Sequence, residues 1–87
     1  MSCYLYILSS KVVSRRYIGI ADDITKRVIR HNSGAVRSTK PYRPWEVVYK
    51  EVFPDKITAR KREVYLKKSY SAREEIFNKI ANLAPIV

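Results

Sequence analysis

Apolar residues follow two rhythms along this chain, clustering in short runs with period two and recurring every three to four positions elsewhere. Residues 3–8 and 16–20 are rich in aromatic and β-branched types and are separated by the polar stretch 9–15. Such a pattern predicts a β-hairpin. With the loop centred near Lys11 and Val12, Tyr6 stands opposite Tyr17 and Tyr4 opposite Gly19, all on one face. Cys3, Leu5, Ile7, Ile18 and Ile20 then fill the other. Asp22 or Asp23 is a good N-cap, and Asn32-Ser33-Gly34 a good stop, for a first helix of two to three turns. At about 100° per residue, Ile24, Arg27, Val28 and His31 share its inner sector while Lys26 and Arg30 point away.

Residues 35–44, AVRSTKPYRP, hold two prolines, three cations and no acid, which predicts a basic irregular surface loop. A third strand follows over 45–53, with Val47, Val48, Tyr49, Val52 and Phe53 supplying apolar surface. Pro54 breaks it, and Asp55 caps a helix over 56–69 whose single stripe is Ala59, Glu63, Leu66 and Tyr70. A last helix, 71–83, turns Ile76, Phe77, Ile80 and Leu83 inward and ends at Pro85. The expected fold is α+β, a three-stranded antiparallel sheet with packed helices in the order β-β-α-β-α-α, and residues 1–87 form one domain.

Charge changes the picture more than length does. The 87 residues carry 18 Lys and Arg against 8 Asp and Glu, a formal net charge of +10. Fixed positive charge of this density repels itself and gathers phosphates, so a polyanion is the expected partner. One cysteine, Cys3, allows no internal disulfide, and no apolar run reaches the length of a signal core or a membrane span. A soluble, cytoplasmic protein without membrane contact is expected. One Cys and one His cannot build a Cys/His metal cage, so any metal must rest on carboxylate, carbonyl and water.

Arg27, His31 and Glu63 all lie on faces that should bury hydrocarbon, and two tyrosines face each other on the hairpin. Each has an ordinary reading: a snorkelling or ion-paired arginine, a packed histidine, a glutamate paired with Arg27 or Lys67, and tyrosines that stabilise a hairpin. Together they can perform phosphoryl chemistry. An arginine fork matches phosphate oxygens, one carboxylate can hold a magnesium ion that keeps most of its waters, and a phenol can act as a base if its phenolate is favoured.

These residues also resemble a known family, the GIY-YIG nuclease superfamily, in particular its small stand-alone bacterial type. Tyr17-Ile18-Gly19 reproduces the second motif, while Tyr4-Leu5-Tyr6 keeps only the final tyrosine of the first. The following helix, ADDITKRVIRHNSG, carries Arg27 and His31 at matching positions, and TARKREVYLKK carries Glu63. The resemblance spans about residues 4–68. It implies Tyr6 as general base assisted by His31, Tyr17 as a positioning group, Arg27 on the scissile phosphate, and Glu63 as ligand of one divalent cation, Mg²⁺ or Mn²⁺.

The expected function is thus metal-dependent hydrolysis of DNA, structure-selective or weakly selective, since no appended module presents side chains to a groove. RNA remains open as a substrate, as does a protein partner that supplies specificity. Lys26, Arg30, Arg37, Lys40, Tyr42, Arg43, Arg60 and Lys67 are the candidate nucleic-acid contacts. Two alternatives stand beside this reading: a non-cleaving nucleic-acid binding module that keeps the fold and basic surface, and a protein-interaction subunit.

Overall fold

The first strand, β1 (Cys3–Ser10), lies at the centre of a three-stranded antiparallel sheet, between β2 (Arg16–Ala21) and β3 (Trp45–Phe53). Three helices complete the fold: α1 (Ile24–Asn32), α2 (Lys56–Lys68) and α3 (Tyr70–Leu83), in the expected order β-β-α-β-α-α. This structure, a computed structural model, describes residues 2–83, with side chains described through residue 80. Leu83's side chain and Pro85 therefore lie outside the described residues. No helix among those described is long and apolar enough to cross a membrane.

The hairpin register differs from expectation by two residues. Tyr6 pairs with Gly19 and Leu8 with Tyr17. The cause is local: the Ser10 hydroxyl oxygen accepts the N–H groups of Val12 and Val13, each at 3.2 Å, which lengthens the loop. Because strand side chains alternate with period two, a slip of two leaves every residue on its expected face.

Each face has its own cover. Leu5, Ile7 and Ile18 pack with Leu66 of α2 and Ile76 of α3, joined by Ile20, Val48, Phe53, Phe77 and Ile80. On the opposite face Tyr6, Leu8, Ala21 and Trp45 pack with Tyr17, Ile24, Val28 and Tyr42 under α1 and its following loop. Such burial is the principal stabilising term for a chain this short. Cys3 is a buried free thiol.

Both predicted N-caps form: Asp23 accepts from the Lys26 N–H at 3.0 Å, and Asp55 from the Thr58 N–H at 2.8 Å. The stripe on α2 stops at Leu66, however. Ser69 is extended and its hydroxyl accepts the Ala72 N–H at 3.3 Å, so it caps α3. Tyr70 consequently begins α3 and is exposed. The loop after α1 is more ordered than its composition implied. It contains a 3₁₀ turn at Lys40–Tyr42, and Trp45 Nε1 donates to the Thr39 carbonyl at 2.9 Å. Asn32 bonds both backbone polar groups of Trp45, at 2.6 and 3.1 Å, fastening the end of α1 to the start of β3.

Candidate active site

Tyr6 enters the site from the central strand and is 0% exposed, its ring fully enclosed. Space for it comes from Gly19 on β2, where an added Cβ would lie 2.7 Å from the Tyr6 hydroxyl oxygen and 2.9 Å from a Tyr17 ring carbon. The Tyr6 and Tyr17 rings are 6.2 Å apart, centroid to centroid. Gly19→Ala is expected to drive both phenols outward, at a cost of about 1–3 kcal/mol for overpacking a closed core. For a domain of this size that is a fall of roughly 5–20 °C in melting temperature, readable by circular dichroism; an unchanged melt would show that the phenols move freely.

His31 sits on the inner face of α1 and is likewise 0% exposed. Its Nε2 lies 3.3 Å from the Tyr6 hydroxyl and its Nδ1 2.8 Å from Thr39 Oγ1, with the Tyr17 ring 4.7 Å away. Burial, then the charges of Arg27 and Arg30, hold its pKa below the ordinary histidine value. The sign follows: unfolded histidine takes up a proton near pH 6.5 while the buried ring resists, so stability present above that pH is lost as pH falls through the lower folded value. Melting temperature should therefore fall between pH 7.5 and 5.5, before carboxylates titrate. Because the chain has one histidine, its ring resonances should report a mainly neutral imidazole at pH 6.5; a ring half charged there would contradict this.

Arg27 lies beside both phenols, and its interactions with Tyr6 and then Tyr17 raise its pKa against the effect of burial. Its Nε is buried without a hydrogen-bond partner among the described residues, and it joins none of the ion pairs formed there. The largest contribution to the rise in its pKa is a hydrogen-bonding interaction of the guanidinium with the Tyr6 hydroxyl, ahead of the Coulombic ones. Burial raises the Tyr6 pKa, Arg27 opposes that rise, and the charges of Tyr17 and Glu63 add to it. At neutral pH Tyr6 is a phenol.

Glu63, 7% exposed on α2, is held by two cations of the same helix. Arg60 Nη1 is 3.3 Å from Oε1 and Lys67 Nζ is 3.0 Å from Oε2. Lys67 also lies 6.0 Å from the Tyr17 ring centroid, linking α2 to the phenols. Among the described residues no three His, Cys, Asp or Glu side chains cluster as a metal cage. Both Glu63 oxygens are engaged by those cations, so a hard divalent ion there would take one of them in place of Arg60 or Lys67 and keep most of its waters.

Two clefts flank these groups. One of about 520 Å³ is lined by Arg27, Lys56 and Arg60 together with Asp22, and the other, about 360 Å³, by Arg16, Tyr17, Lys67 and Arg73. Lys56, Arg16 and Arg73 escaped the sequence reading because they belong to three elements with no common pattern. Of the expected nucleic-acid contacts, Arg60 and Lys67 border the site, while Arg37, Lys40 and Arg43 line a separate depression of about 470 Å³. Lys26 and Arg30 are exposed on the outer side of α1. Tyr42 is taken up in packing, with the Arg15 guanidinium 4.2 Å above its ring.

Over most of its length the chain is similar to other proteins. A family model described as the GIY-YIG catalytic domain matches residues 2–78. The UPF0213 protein SSP2268 of Staphylococcus saprophyticus is 43% identical over 84% of this chain and 88% of its own length. UPF0213 protein CPE1444 of Clostridium perfringens is 36% identical over 92% and 98%. A solution NMR structure of the UPF0213 protein BH0048 from Bacillus halodurans aligns with a TM-score of 0.55 at 30% identity, covering 90% of this chain and 84% of that one. The names of these relatives attach no reaction to them, whereas the matched domain is that of a nuclease superfamily whose members generally use divalent metals. With residues 2–78 matched by that model, this chain belongs to the GIY-YIG family.

Proposed function

We propose that this chain is a metal-dependent endonuclease that hydrolyses DNA phosphodiester bonds with weak or structure-dependent selectivity. The observation that carries the reading is Arg27: a guanidinium beside two phenols, with a buried Nε–H that has no partner among the described residues. Arg27 lines the cleft of about 520 Å³, where a phosphate would receive the guanidinium in the planar geometry arginine favours.

Tyr6 is a phenol at neutral pH, so it serves as a base only if it releases its own proton as it accepts one. Neutral His31, with Nε2 at 3.3 Å, is the acceptor. A water entering beside Arg27 gives its proton to the Tyr6 oxygen while Tyr6 gives its hydroxyl proton to His31. Tyr17, half-exposed at the mouth, orients that water or the phosphate. Arg27 offsets charge gathering on the phosphoryl oxygens. Glu63 would hold Mg²⁺ or Mn²⁺, and such an ion, when bound, supplies Lewis-acid stabilisation of the leaving oxygen. Arg60 and Lys67, with Lys56 and Arg16 beyond them, track neighbouring phosphates in the two clefts, contacts that position a strand without reading its sequence.

Purified protein incubated with branched, flapped and plain duplex DNA tests the reading. Cleavage is expected with Mg²⁺ or Mn²⁺ and none with EDTA, and the rate should decline as pH falls and His31 takes up a proton. Failure of the wild type to cut any of the three with either metal would sink it. Salt-dependent binding that survives such a failure would point instead to a non-cleaving binding module.

A further inference from the structure

We infer that Thr39 is a positioning residue that fixes the tautomer of His31, so that the ring presents a lone pair, not a proton, to Tyr6. The inference rests on the proposed Tyr6–His31 relay and names a member of it that lies eight residues from the histidine in an irregular loop. Thr39 is 2% exposed, and its Oγ1 has two neighbours, His31 Nδ1 at 2.8 Å and the Val36 carbonyl at 3.3 Å.

Hydrogen-bond bookkeeping favours one arrangement, and the Tyr6 end decides it, because the Val36 carbonyl also receives the Thr39 and Lys40 backbone N–H groups at 3.2 and 3.0 Å. With the Thr39 hydroxyl donating to Val36 at 3.3 Å, its lone pair faces Nδ1. Nδ1 must then carry the proton, which leaves Nε2 as an acceptor for the Tyr6 hydroxyl. The reverse tautomer would direct an N–H at the Tyr6 oxygen, which already faces the positive Arg27, and would leave the Tyr6 hydroxyl proton buried with no acceptor among the described residues. That outcome carries the penalty of an unmatched buried donor. Outer partners of functional histidines commonly set the ring in this way.

The position is well anchored. The Thr39 carbonyl receives the Trp45 indole N–H at 2.9 Å, and Trp45 is tied to Asn32 at the end of α1. Arg37, Lys40 and Arg43 flank Thr39 on the same loop, so a phosphate seated on them lies one covalent segment from the relay.

The test uses ¹⁵N-edited NMR of the His31 ring in the full chain, together with cleavage kinetics. Wild type should show a protonated Nδ1 and a pyridine-like Nε2. Thr39→Val, close in shape but without the hydroxyl, should shift the ring toward the Nε2–H form and lower kcat about 10- to 100-fold with KM changed less than about twofold. Thr39→Ser should restore both the ring pattern and the rate. A wild-type ring protonated on Nε2, or a Thr39→Val ring that keeps Nδ1–H, overturns the inference, as does a rate loss without a tautomer change. Should Thr39→Val fail to fold, the wild-type and Thr39→Ser ring patterns decide. The NMR result does not depend on cleavage, so an inactive wild type removes the nuclease reading and leaves the tautomer assignment to stand or fall alone.

Discussion

Arg27→Ala is expected to lower the rate of DNA cleavage about a thousandfold, within the range for removing a preorganised donor or an arginine that meets transition-state charge. Most arginines on an apolar helix face serve packing or an ion pair, and their loss shows chiefly in stability. Arg27 is unlike them in having no ion-pair partner among the described residues and a buried Nε–H without an acceptor. Removing it deletes an unmatched donor while sacrificing some hydrocarbon contact, two effects of opposite sign and similar size. The melting temperature should therefore move by only a few degrees while activity collapses. Arg27→Lys should recover little, because an ammonium lacks the planar fork. The checks are single-turnover kinetics and thermal melts on the same samples. Cleavage within about threefold of wild type would return Arg27 to a packing role.

Glu63→Gln is expected to reduce cleavage by about a thousandfold or more, since Lewis-acid stabilisation by a bound cation is worth several kcal/mol of transition-state energy. The substitution keeps the shape and exchanges one carboxylate oxygen for an amide nitrogen, so the fold should persist. Its electrostatic effect on binding is opposite to its effect on catalysis. Glu63 is the negative charge between Arg60 and Lys67. Neutralising it leaves those cations free to attract phosphate, so affinity for uncut DNA in EDTA should hold or rise, with a somewhat steeper dependence on salt. Binding by fluorescence anisotropy with the rate measured in parallel separates the two. Equal loss of binding and rate would mean that Glu63 acts by organising the basic surface.

The positions of charged residues on apolar faces were legible because strand and helix periods are local properties. Tyr6 and Tyr17 share a face, and Arg27 and His31 share another, whatever the loop between them does; even a hairpin register displaced by two preserved that sorting. The displacement itself was not legible, since it turns on the Ser10 hydroxyl accepting two loop N–H groups. Tyr70 was placed on the α2 stripe because periodicity carries on through a serine, whereas the chain breaks there when that serine caps the next helix. Thr39 had no signal at all. It lies in a segment without period, and its importance comes from one buried nitrogen 2.8 Å away.

Alone, then, the amino-acid order determined which elements form, which face the side chains of the hairpin and of α1 take, and that the partner should be a polyanion. Those follow from backbone geometry and net charge, neither of which needs long-range contacts. Tertiary structure decided what meets what: that Gly19 yields room for the Tyr6 ring, that Thr39 reaches His31, that Glu63 is held by Arg60 and Lys67, and that cations from several elements border two clefts. The reason is physical. Convergence depends on the angle and distance at which helices settle on a sheet, and these are set by the sum of many weak packing contacts that no single stretch of sequence contains.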